Sequence, residues 1–393
     1  FIACPVQATN FSGRASTELE WFDDPEENTA TPFYQYLLLN VTDIGDSGWN
    51  LRGYGRFADD LSDEVDVDSR LYYGYLEKRN LIDNLDFRLG RQFIATTAGA
   101  SLMDGLYLDY RNLGPVDITL FGGGDVSYYE GYNAKDLIVG GEIGSRTLVD
   151  NLAASVSYVQ KWEDSDLSHE LIGLDLDYNV PSLIRLYSET QYSWITDEVT
   201  YFVAGAKYYR SPNWSLRAEY LYSLPVFSAT SIYSVFAVNE YQEAELEFIY
   251  NIDRGLQAFA RYTHEFYEDV EDADVIEAGI EKLRGDAFSG YLTGVYRMDD
   301  DGQDLYGGKI RLAYKCTSNI ETGIGAHIDV LERQIGFYGD DNGDDDETTN
   351  QRYWFDITAG ITKSINVQGK LEMVQSDLWD EYYRGRVRLN ILF

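Results

Sequence analysis

The sequence predicts an all-β fold: a closed transmembrane barrel of about twenty-two antiparallel strands, within a range of 20 to 22, around a wide polar lumen. Three observations predict it. Apolar and polar residues alternate with period two in segments of 10 to 13 residues, the length a tilted membrane strand needs. No window approaches the roughly 18 to 20 consecutive apolar residues of a spanning helix, and mean hydropathy is −0.34, as expected when lipid-facing and lumen-facing residues alternate. Finally, 33 tyrosines, 18 phenylalanines and seven tryptophans run from end to end, with only seven prolines and no linker, so one architecture spans the chain.

Taken in order from clusters of Gly, Pro, Asn and Asp, the first strands fall at 11–22 and 32–42, followed by the turn DIGDSG, then at 49–59 and 68–79, followed by NLIDN. The next pair, 85–95 and 103–112, ends at NLGP, and 116–126, 136–147, 152–163, 168–179, 182–195 and 199–210 lead to RSPN. Strands at 214–224 and 236–250 reach NIDRG; 255–267, 274–283, 287–298 and 305–315 reach KCTSN; 320–332, 352–363, 366–376 and 382–393 complete the set. The patterning is sharpest in the later strands. Residues 214–222 set Trp214, Leu216, Ala218, Tyr220 and Tyr222 against Arg217 and Glu219, and residues 305–315 set Tyr306, Ile310, Leu312 and Tyr314 against Lys309, Arg311 and Lys315. In 353–361, Tyr353, Phe355, Ile357, Ala359 and Ile361 oppose Asp356 and Thr358. The last strand places Val387, Leu389, Ile391 and Phe393 on one face and Arg384, Arg386 and Arg388 on the other. Three arginines on one face would be costly in an apolar core but are at home in a water-filled lumen. The terminal Phe393 with its apolar residues two, four and six places earlier resembles the C-terminal signal of bacterial outer-membrane barrels.

The formal charge of −36 excludes nucleic acid as a partner, and the acid is concentrated in runs at 23–27, 59–68, 268–274, 299–304 and 340–347. An even strand count puts both termini on the periplasmic side. The tight turns quoted above then all follow even-numbered strands, and the five acidic runs all follow odd-numbered ones, so the acid is expected at the extracellular rim. Paired aromatics at strand ends, Trp21 and Phe22, Tyr128 and Tyr129, Tyr208 and Tyr209, Phe266 and Tyr267, Tyr382 and Tyr383, fit the two girdles of a membrane barrel. Residues 1–10 form a periplasmic tail before a single barrel domain, 11–393. The opening FIACPVQA faintly resembles the end of a signal sequence.

No catalytic or metal site is expected, and no enzyme activity. His169, His264 and His327 have no metal-ligand spacing, and no nucleophile elbow, zinc-protease or phosphate-loop motif is present. One loop, with Asp340, Asp341, Asp344, Asp345, Asp346 and Glu347, offers oxygen ligands for a weak divalent-cation site, though without the order of a calcium-binding hand; a solvated loop is the alternative. Cys4 and Cys316 fall on the same side by parity and can form a disulfide in an oxidising periplasm, or remain two free thiols. The absence of C-x-x-C-H means that the chain attaches no c-type haem, so any haem belongs to a partner.

The residues expected to line the lumen are Arg52, Arg56, Arg88, Asp109, Arg111, Arg217, Glu219, Arg261, Lys309, Arg311, Arg384, Arg386 and Arg388, with Glu245, Glu247, Lys370 and Glu372 beside them. Each either forms a wall-to-wall salt bridge or meets a partner. The ladder Arg384, Arg386 and Arg388 is read as having few acids at neighbouring positions. Barrels near twenty-two strands need a plug; diffusion porins usually narrow their pores with a long inward-folded loop, and no such loop or plug domain is evident.

The stretch DFRLGRQFIATTAGASLMDGLYLDYRNLGPVDITLFGG, with Leu89-Gly90-Arg91-Gln92 and Asp104-Gly105-Leu106, resembles outer-membrane barrels of metal-reducing deltaproteobacteria, including the barrel subunit of their porin-cytochrome conduits. That resemblance implies an insulating sheath for a multihaem c-type cytochrome, which would pass electrons across the outer membrane, with lipid and lipopolysaccharide around the wall. The other reading is a passive diffusion porin for small solutes or ions.

Overall fold

The computed structural model describes residues 9–23, 28–126, 133–224, 240–268, 271–283, 287–299, 304–331, 348–376 and 379–393. Twenty-two long antiparallel strands close into one barrel, and a two-residue strand, Thr29–Ala30, extends the first hairpin. The wall begins with β1 (Asn10–Asp23), β2 (Pro32–Thr42), β3 (Trp49–Asp60), β4 (Arg70–Ile82), β5 (Leu85–Thr96), β6 (Gly99–Leu113) and β7 (Val116–Asp125). It continues with β8 (Leu137–Val149), β9 (Leu152–Glu163), β10 (Asp166–Val180), β11 (Ile184–Ser193), β12 (Glu198–Tyr208), β13 (Trp214–Ser223) and β14 (Tyr241–Asp253). The remaining strands are β15 (Leu256–Phe266), β16 (Ala273–Lys282), β17 (Phe288–Asp299), β18 (Leu305–Lys315), β19 (Ile320–Leu331), β20 (Thr348–Gly360), β21 (Ile365–Ser376) and β22 (Trp379–Leu392). Each of the twenty-two expected segments coincides with one of these.

Every strand pairs with the next in sequence, and β22 returns to pair with β1 from Arg14↔Leu392 to Phe22↔Arg384. That seam is well made. Gly13 N–H donates to Phe393 O at 2.9 Å, Phe393 N–H returns a bond to Gly13 O at 3.2 Å, and Ser16 Oγ donates to Asn390 Oδ1 at 2.6 Å. Closure leaves the sheet with no first or last strand, as a wall surrounded by hydrocarbon requires.

The two faces differ as the alternation predicts. Leu89, Leu120, Val156, Leu292, Ile324 and Leu371 stand half-exposed or more on the outer face, part of an apolar band of the kind a bilayer accommodates. Among the described residues the inner face is mostly polar, and its side chains reach across intervening strands: Arg311 on β18 meets Asp356 on β20 at 2.8 Å, and Arg297 on β17 meets Glu265 on β15 at 3.1 Å. The connections sort by length as well. At the end where β1 begins and β22 finishes, called here the terminal end, none exceeds six residues, and Asn84, Asn151 and Gly255 take up the positive φ that two-residue turns demand. The five acidic runs all join strands at the opposite, acidic end; residues 24–27, 269–270, 300–303 and 340–347 of those runs, like Tyr128 and Tyr129, lie outside the described residues.

A bulge in β4 breaks the alternation beside a cluster of tyrosines. In the β3–β4 pair, Tyr54 opposes Tyr73 and Gly55 opposes Leu71, so Tyr72 is an extra residue in a β-bulge. Both Tyr72 and Tyr73 therefore lie on the lumen side against Tyr54, with ring centroids 4.9 and 5.9 Å away.

Candidate functional site

The lumen is not a bare pipe. Beyond Arg91, β5 leaves β4, and β6 joins β7 only from Leu102 and Met103 onward, so residues 92 to 101 form a hairpin whose two arms take their strand pairing from each other. This hairpin enters at the acidic end and bends inward across the inner faces of β7 to β11. Its tip is fastened there: Ala98 N–H donates to Ser157 Oγ on β9 at 2.8 Å, and Gln191 Nε2 on β11 donates to Ala98 O at 2.9 Å. Gly173 on β10 makes room, since a Cβ at that position would come within 2.2 Å of Ala98 N. Beneath the hairpin, Ile94, Ala98 and Met103 are buried with Phe121, Ile138, Val159 and Leu171 of the wall. The expectation that no inward-folded segment exists is thus corrected. Its turn is only two residues long, and the extra length is hidden inside two strands rather than displayed as a loop.

The charged residues of the inner face are largely matched to one another. Arg384 lies 3.1 Å from Glu20 and Arg388 3.4 Å from Glu18, which corrects the reading of that ladder as short of neighbouring acids; of its three members, Arg386 alone has no ion pair among the described residues. The missing acids sit on β1, adjacent in space across the seam but more than 360 residues away in sequence. Arg217 meets Glu245 at 2.5 Å, and Glu219 and Glu247 at 3.6 and 3.5 Å; Arg261 meets Glu247 at 2.7 Å and Glu277 at 3.2 Å. Arg311 pairs with Asp356, Arg52 with Glu77 at 3.2 Å, and Arg111 with Asp86 at 2.8 Å and Asp109 at 3.9 Å. Lys370 and Arg352 share Glu372. In a wet lumen such pairs contribute about 1 kcal/mol or less each, but they fix where the wall is charged.

The charge left in surplus is segregated. On β18 to β22, Lys309 and Arg386 have no ion pair among the described residues, and Arg352 and Lys370 have the single carboxylate of Glu372 between them. Glu142, Asp175 and Glu189, on β8, β10 and β11, have no ion pair among the described residues. Centre to centre these two patches lie about ten strands apart, close to half of the twenty-two-strand circumference, so a transverse field crosses the lumen from a basic wall to an acidic one.

Arg56 and Arg88 are held differently. Arg56 lies over the Tyr34 ring at 4.9 Å and donates to Asp68 O at 2.7 Å, while Arg88 lies 5.8 Å from the Tyr75 ring centroid and 4.9 Å from that of Tyr107. Tyr75 was not legible as a lumen residue because the β4 bulge shifts the parity on which the inference depends. Cys316 is exposed in the β18–β19 turn; Cys4, the other half of the expected disulfide, lies outside the described residues, as does the loop Asp340, Asp341, Asp344, Asp345, Asp346 and Glu347. Among the described residues no group of side chains has the arrangement of a metal site: His264 contacts Asp274 at 2.8 Å, His327 contacts Asp329 at 2.7 Å, and His169 contacts Ser168 at 3.0 Å.

No family model matches the chain, and no curated protein matches it. Among solved structures it is similar to the translocation pore of the P pilus usher PapC, with a TM-score of 0.57 at 9% identity over 98% of this chain and 99% of that one. It also aligns with OpdQ of Pseudomonas aeruginosa, with a TM-score of 0.49 at 12% identity over 99% of each chain. A further match is the outer-membrane protein opdK of the same organism, with a TM-score of 0.49 at 10% identity over 98% of this chain and 99% of that one. At this identity the PapC likeness carries one conclusion, on the fold: the chain is a closed antiparallel β-barrel.

Proposed function

We propose that this chain is an outer-membrane channel through which small polar solutes cross by diffusion. The observation that carries the reading is the inward hairpin. It fills the sector of the lumen from β6 to β11 with the protein's own residues, narrowing a pore that would otherwise be wide and taking up space that an inserted cytochrome would need. The ion pairing of the wall supports the same reading, because Arg384 and Arg388 already have carboxylate partners and do not call for propionates or acidic side chains from another protein. The transverse field suits dipolar and neutral polar solutes, which can align with it.

The test is reconstitution of the purified chain in planar bilayers, alongside haem staining of the material purified from its native membrane. An open, steadily conducting, haem-free channel is the expected result. Co-purification of a haem-staining protein, with a channel that is blocked until that protein is removed, would establish the cytochrome sheath in its place.

A further inference from the structure

We propose that a track of tyrosine rings and guanidinium groups down the inner wall of β2 to β6 binds the faces of sugar rings, so that linear oligosaccharides are among the solutes this channel passes. The proposal rests on the diffusion-channel reading and names a substrate class for it.

The track can be followed ring by ring. Tyr34 and Tyr36 on β2 have centroids 6.2 Å apart, and Tyr36 is 6.3 Å from Tyr54 on β3. Tyr54 is 5.9 Å from Tyr73, and Tyr73 is 5.8 Å from Tyr75, both on β4. Arg88 on β5 then bridges Tyr75 to Tyr107 on β6. By strand register these steps advance two, two, none, two, two and no residues toward the terminal end, eight in all. At about 3.3 Å per residue that is roughly 26 Å along the strands, or about 20 Å across a bilayer core at the usual tilt of such strands. No step exceeds 6.3 Å.

Cross-strand aromatic pairs commonly serve only to stiffen a sheet. Three features point beyond that here. The rings lie on the lumen face and each keeps part of its surface open there, although Tyr107 also packs against the apolar cluster beneath the hairpin. The bulge at Tyr72 adds one inward tyrosine more than alternation allows. Guanidinium groups flank the rings, Arg56 over Tyr34 and Arg388 over Tyr36, and the Nε of Arg88 has no hydrogen-bond partner among the described residues. Aromatic faces with hydroxyls at their edges and guanidinium donors alongside match a pyranose, which presents an apolar C–H face and a rim of hydroxyls. Anions are disfavoured by the acidic end and cations by the guanidinium groups along the track, so neutral ring solutes fit it best. Spacing on the scale of one ring lets a chain of sugars pass from face to face without leaving the wall.

The experiment is single-channel recording with maltohexaose on one side and, as a control, polyethylene glycol of similar size. The unaltered chain is expected to show resolved current blocks with maltohexaose and only size-dependent reduction with the glycol. The variant with Tyr54→Ser and Tyr73→Ser should bind maltohexaose about tenfold more weakly, while Tyr54→Phe with Tyr73→Phe keeps most of the affinity. Heat-modifiable gel mobility confirms that each variant is folded. Maltohexaose acting no differently from the glycol, or equal blocking in the serine variant, overturns the proposal; so does blocking by benzoate without blocking by maltohexaose. A chain that passes no ions at all overturns the diffusion-channel reading itself, an outcome distinct from the failure of the sugar track.

Discussion

Asp60 ends β3 where the chain leaves the wall for the loop at 61–69, and it organises that loop through hydrogen bonds. It accepts from the amides of Thr31 at 2.9 Å, Glu64 at 2.7 Å and Val65 at 3.1 Å, and from Ser62 Oγ at 3.0 Å. Desolvation alone would raise its carboxyl, but those donors outweigh it and hold the group at about 2. A carboxyl depressed in the folded state stabilises above its unfolded value near 4 and loses that contribution as pH falls through the folded value. The loop is therefore expected to keep its structure at pH 4 and to release as pH approaches 2, and Asp60→Ala should expose residues 61–69 to proteolysis at neutral pH without altering barrel mobility on gels. At this scale the sequence was only partly legible. Arg52, Arg217, Arg261 and Arg311 were identifiable from alternation, but Glu18 and Glu20 were not identified as partners of the β22 ladder, because a seam between the first and last strands leaves no local signal.

The β5–β6 hairpin shows the same limit for an element. Its two arms pair with each other, and Ser157, Gln191 and Lys161 of the wall bond backbone groups at its tip and outer edge, which offsets part of the cost of leaving the ladder. The Ala-Thr-Thr-Ala-Gly-Ala-Ser stretch at 95–101 reads as a loop of small residues, so β6 was expected to start at 103 rather than at Gly99. Small residues are what a tip pressed against a wall needs, and their composition conceals the strand. Gly173→Leu is expected to expel the tip, at a cost to docking of about 2 to 3 kcal/mol, and to raise single-channel conductance while the barrel remains heat-modifiable. Unchanged conductance would mean that the hairpin does not set the narrowest point.

For the whole molecule, the even count and the alternation of short and long connections were legible because each follows from a rule of period two applied along the entire chain. The transverse field was not, since it depends on which strands face one another across the lumen, and that is known only once the sheet closes. Neutralising the acidic wall with Glu142→Gln, Asp175→Asn and Glu189→Gln should shift reversal potentials in a salt gradient toward anion selectivity, with no change in β content by circular dichroism. Closure has a further consequence. Because β1 and β22 meet through the same kind of backbone ladder as any other pair, with Gly13 and Phe393 exchanging hydrogen bonds, the wall itself has no first strand. It is a cyclic object written in a linear text, and rotating that text to begin at another turn of the terminal end, such as Asp150-Asn151, would spell out the same ring of neighbours.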